Sequence, residues 1–77
     1  MSPSTQKVRY GDNNRSVVFL QCVLHDLGHG LAVDGKFGQR TLAAVRHWQD
    51  HHPYLGPVDG VVGPKTWKSL LAGSKKY

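Results

Sequence analysis

Val33-Asp34-Gly35-Lys36-Phe37-Gly38-Gln39-Arg40-Thr41 decides the fold, because the chain writes it again as Val58-Asp59-Gly60-Val61-Val62-Gly63-Pro64-Lys65-Thr66. The copies lie 25 residues apart (Asp34 to Asp59) and share Val, Asp, both Gly and Thr in register. An apolar residue, Leu42 or Trp67, follows each Thr. A second echo precedes each copy, since Val17-x-x-Leu20-Gln21 returns as Val45-x-x-Trp48-Gln49. Repetition at a fixed period marks one supersecondary unit used more than once. The unit reads as a helix, a tight Asp-Gly turn and the start of the next helix, so two copies share a middle helix. The expected fold is all-α, a small three-helix bundle built from two such repeats.

Working outward, Gly11-Asp12-Asn13-Asn14 is a turn cluster that offers N-cap oxygens. Val17, Leu20, Leu24 and Leu27 follow at helical spacing, and Gly28 and Gly30 end that run. The second helix is expected from about Gln39 to Asp50, with Leu42, Val45 and Trp48 inward, and stops ahead of Pro53. The third opens on Pro64, where the missing N–H costs nothing, buries Trp67, Leu70 and Leu71, and stops at Gly73. Residues 1–10 read as a flexible tail or linker, 11–73 as the domain and 74–77 as a C-terminal tail.

A chain of 77 residues makes one domain. At that size roughly 60% of the unfolded surface is buried, which leaves room for a binding face but little for a deep cleft. The single cysteine, Cys22, excludes an internal disulfide and reads as a small apolar residue on the first helix. Nothing in the chain is long and apolar enough to span a membrane, and Met1 to Gln6 carries no signal-like apolar run. Ten Lys and Arg against five Asp and no Glu give a net charge of +5. Such a field favours polyanions in general, nucleic acid and anionic cell wall alike.

The ordered series from Gly11-Asp12 through Leu20-Gln21, Val33-Asp34-Gly35, Trp48-Gln49 and Val58-Asp59-Gly60 to Thr66-Trp67 and Leu70 resembles the peptidoglycan-binding domain family. These are three-helix modules attached to bacterial and phage cell-wall hydrolases. The resemblance runs from about Gly11 to Leu71, and His51-His52-Pro53-Tyr54 is its one departure, in the middle linker. It implies a non-catalytic module that binds peptidoglycan and targets an attached catalytic domain to it. It also implies an extracellular, wall-associated setting, no cofactor, no membrane partner and a monomeric state. The second reading is a basic nucleic-acid-binding domain. Against that, Pro53, Gly56 and Pro57 make the linker too long for a helix-turn-helix, and the basic residues are scattered. An interaction or adaptor domain of the same fold is the third, because fold alone does not fix function.

The residues that might carry chemistry point the same way. Each Asp-Gly cassette offers one carboxylate, whereas calcium takes six to eight oxygens, so Asp34 and Asp59 read as holding amides of the turn and of the following helix start. Gly38 and Gly63 read as points of close backbone approach. Gln21 and Gln49 read as partners for the backbone of the neighbouring turn. His25/His29 and His47/His51 have the four-residue spacing zinc can use, but no third ligand or basic carboxylate accompanies either pair, so no metal is expected. No serine elbow and no facing pair of acids is present, so no catalytic residue is expected. Phe37, Trp48 and Trp67 read as core. The side chains left for recognition are His29, Lys36, Arg40, Tyr54 and Lys65, on loops or helix starts. They combine a flat ring for stacking with cations for carboxylates.

Overall fold

A computed structural model describes residues 7–74, so of the tails expected at 1–10 and 74–77 the parts at 1–6 and 75–77 lie outside the described residues. Three helices run Arg15–Asp26 (α1), Gln39–Asp50 (α2) and Pro64–Ser74 (α3), with a 3₁₀ turn at Pro53–Leu55 in the second linker. Each end has a local cause. Asn14 lies in extended backbone and accepts from the Val17 N–H at 3.1 Å, capping α1. That helix closes in a Schellman arrangement, with His29 N donating to Leu24 O and Gly28 N to His25 O, both at 3.0 Å. Pro64 opens α3 at its first position.

The core is shared among all three helices. Val17, Leu20, Val23 and Leu24 come from α1, Ala44 and Val45 from α2, and Trp67 and Leu70 from α3. Phe19 stacks on Trp67 with centroids 5.5 Å apart, and the Trp48 indole N–H donates to Ser69 Oγ at 3.0 Å. The inner face of α2 is turned from the expected stripe. Thr41, Ala44, Val45 and Gln49 are buried, while Leu42 and Trp48 are only partly covered. The polar pair goes in because it finds hydrogen-bond partners there.

Two boundaries differ from expectation. Gly73 does not stop α3, which continues to Ser74. Its role is packing, because a Cβ at that position would lie 2.7 Å from Trp48 Cη2. The stretch up to residue 10 reads as a tail, yet Val8 is 1% exposed and forms an antiparallel bridge with Val62. Val8 N donates to Val62 O at 3.1 Å, and Val62 N to Val8 O at 2.8 Å. One valine carries too little pattern to announce itself, but its burial and two hydrogen bonds draw it in. A second bridge joins Asn13 to Lys36, just where the first cassette turns.

Candidate ligand-binding grooves

The cassettes are held from behind by glutamines. Gln21 Oε1 accepts from Asp34 N at 2.9 Å and Gly35 N at 2.8 Å. Its Nε2 faces three acceptors, Asp34 Oδ1 and Lys36 O at 3.0 Å and Thr41 Oγ1 at 3.1 Å. With two hydrogens for three acceptors, one of these bonds is shared. Gln49 repeats the pattern more loosely. Its Oε1 accepts from Gly60 N at 2.9 Å, and its Nε2 reaches Asp59 Oδ1 at 3.2 Å, Val61 O at 3.0 Å and Thr66 Oγ1 at 3.4 Å. Both glutamines are buried, so each turn is fixed by a satisfied polar knot inside the core.

The aspartates serve the turn rather than the helix. Asp34 Oδ1 accepts from Lys36 N at 2.9 Å, and Asp59 Oδ1 from Val61 N at 2.9 Å. Neither reaches a helix-start amide, which corrects the expected second role. Gly38, the residue before α2, brings no side-chain cap. Gly38 and Gly63 also fail as points of close approach, since a Cβ at either would meet nothing within 4 Å. Within the cassettes the crowded glycines are the turn residues themselves, Gly35 at φ +80° and Gly60 at φ +75°, a region that side-chain-bearing residues rarely adopt. At Gly60 a Cβ would collide with Leu42 Cδ1.

Each knot floors an open groove. The first, about 290 Å³, is lined by Gln21, Asp34 and Thr41 with Lys36 and Arg40. The second, about 400 Å³, is lined by Gln49, Asp59 and Thr66 with Lys7 and Lys65. Among the described residues, every hydrogen bond that Asp34 or Asp59 accepts lands on Oδ1, leaving Oδ2 uncommitted. The Lys36 N–H first, then the Gln21 amide, hold the Asp34 carboxyl below the usual carboxylate range.

Of the five residues singled out in the sequence, Lys36 and Arg40 meet in the first groove. Arg40 also lines a neighbouring groove with His29 and His47 above Ala43 and Ala44. Tyr54 and Lys65 meet elsewhere, beside Lys68 and Ser69. Tyr54 is 70% exposed, and its hydroxyl lies 2.8 Å from Ser69 Oγ, which anchors the ring at its tip. None of these grooves is lined by all five.

Two participants were not foreseen. Lys7 falls in the stretch read as tail, and no sequence signal ties it to the second cassette. His47 meets His29 across two elements, with ring centroids 5.5 Å apart, and meets His51 at 4.1 Å. Only the latter contact was legible, from its four-residue spacing. Burial first, then the His47 charge, lower the His29 pKa from its ordinary 6.5. Among the described residues, no three of His, Cys and Asp are grouped to hold a metal ion, and no helix is long and apolar enough to cross a membrane.

Known proteins repeat this architecture. The model of the peptidoglycan binding domain family matches residues 13–70. Over 75 residues the chain is 40% identical to the spore cortex-lytic enzyme of Bacillus subtilis, covering 96% of this chain and 24% of that enzyme. The chain therefore spans about a quarter of that relative's length. The crystal structure of the SleB N-terminal domain superposes with a TM-score of 0.83 at 34% identity, covering 95% of this chain and 99% of that one. A Burkholderia AP3 phage endolysin superposes at 0.76 with 38% identity, covering 88% of this chain and 25% of that one.

Proposed function

The chain belongs to the peptidoglycan-binding domain family, and from that premise we propose that it is a non-catalytic module holding an attached cell-wall hydrolase on its substrate. Tethering raises the effective concentration of a catalytic domain near an insoluble polymer without altering the chemical barrier. The module acts as a monomer at the wall, outside the cell membrane, with the chemistry in another part of a longer chain. Recognition falls to His29, Lys36, Arg40, Tyr54 and Lys65. The observation that supports this best is the pair of cation-lined grooves whose floors are fixed from inside by Gln21 and Gln49. A groove on a turn that cannot move costs little to order when it binds.

Purified sacculi test the reading. At low salt the protein is expected to sediment with them, and a protein that stays in the supernatant ends the proposal. The double variant Tyr54→Ala/Arg40→Ala alters two exposed side chains, so its melting temperature should stay almost unchanged while sacculus binding falls at least several-fold. Unaltered binding by that variant would move the recognition face to the exposed side of α1.

A further inference from the structure

The two grooves agree beyond what a repeated fold requires. Gln21, Asp34, Gly38, Arg40 and Thr41 line the first, and their counterparts Gln49, Asp59, Gly63, Lys65 and Thr66 line the second. The knot explains why Gln, Asp and Thr recur, since the turn needs them. It does not explain the rims. Lys36 stands in the first cassette where the second has Val61, so a plain copy would leave the second groove one cation short. Lys7, from a part of the chain with no counterpart in the repeat, lines that groove instead. Each groove thus carries one carboxylate and two cations, although the second cation comes from unrelated places. Folding alone does not call for that match.

The carboxylates are available. Asp34 and Asp59 are exposed, and each spends only Oδ1 on the turn, so Oδ2 can take an ammonium. The hydrogen bonds that hold Asp34 in its ionised form work in the same direction. Arg40 and Lys65 offer the complementary charge from the first turn of the following helix.

We propose that the module has two equivalent subsites, each taking a small zwitterionic peptide unit, with the ammonium on the Asp carboxylate and the carboxylate on the two cations. This rests on the wall-binding reading, in which such a unit is a stem-peptide residue that keeps its ammonium and its carboxylate outside the peptide bonds; a D-alanyl end, amide-linked through its nitrogen, offers the carboxylate alone. Two weak sites on one rigid body, facing an insoluble polymer, multiply their retention. The first subsite is expected to be the tighter, because the Arg40 guanidinium grips a carboxylate through two parallel bonds and the Lys65 ammonium does not.

The probe is free D-alanyl-D-alanine, added to ¹⁵N-labelled protein and followed by amide chemical shifts. Movement is expected in two separate sets, residues 34–38 and 59–63, with two saturation curves. The N-acetylated dipeptide, lacking the ammonium, and the C-terminal amide, lacking the carboxylate, should each bind at least ten-fold more weakly to both sets. Arg40→Ala should silence only the first set and Lys65→Ala only the second, with amides outside the grooves reporting that each variant is folded. Movement in one set alone, movement elsewhere, no movement, or equal binding of the blocked peptides overturns the inference. Sacculus binding separates the two readings. Protein that sediments with sacculi while ignoring the dipeptide sinks this inference and leaves wall binding standing. Protein that fills both grooves with dipeptide yet ignores sacculi sinks wall binding and leaves the zwitterion subsites standing.

Discussion

Truncating Gln21 strands several polar groups at once. In Gln21→Ala the Asp34 and Gly35 amides and the Thr41 hydroxyl all lose a partner close to the core. Each orphaned group costs about 1–3 kcal/mol, with water repaying part at the exposed end of the turn. A net loss of about 3 kcal/mol is expected for Gln21→Ala, and about 2 for Gln49→Ala, whose knot has one amide fewer and longer bonds. Urea unfolding of both variants checks the order as well as the size. His29 sets a different dependence. Its pKa is lowered in the folded protein, so its contribution to stability is complete above the ordinary 6.5 and is lost as pH falls through the lowered value. Burial disfavours the charged imidazolium first, and the His47 charge then repels the same proton. The wild type should therefore lose stability more steeply than His29→Gln between about pH 7 and pH 5, measured by thermal melts across that range.

Between one helix and the next, the glycines differ in what they tolerate. Gly28 and Gly60 both have positive φ, but a Cβ on Gly28 meets open space while one on Gly60 strikes Leu42. Gly28→Ala should cost about 1 kcal/mol, the backbone term alone. Gly60→Ala adds overpacking and should cost about 3 kcal/mol, again by urea unfolding. At this scale the sequence was highly legible. The α2 limits and the Pro64 start follow from Pro, Gly and apolar spacing, all local signals. The Gln–turn pairing was readable because it is written twice. What escaped was partnership across elements: the inward turn of Thr41, the contact between Gly73 and Trp48, and the meeting of His29 with His47. None of these leaves a periodic trace, since each depends on how two elements pack.

The whole molecule is less a bundle with tails than the sequence suggests, because Val8 belongs to the core. Val8→Ala should cost about 2 kcal/mol, as expected for hollowing out a fully buried valine. A chain beginning at residue 11 should lose at least as much, and its melting temperature should fall by several degrees relative to one beginning at residue 7. The grooves were half legible at this scale. Lys36, Arg40 and Lys65 could be named from the repeat, but Lys7 could not, because only tertiary folding brings it to the second turn. The same clip has a mechanical side. A pull applied through residue 7 meets first the two hydrogen bonds between Val8 and Val62. Val62 sits within the second cassette, immediately ahead of Gly63 and Pro64 on the groove wall. Tension entering at that end therefore passes straight into the second turn, bypassing α1 and the first cassette. The load path is short, and while the clip holds, α1 lies outside it.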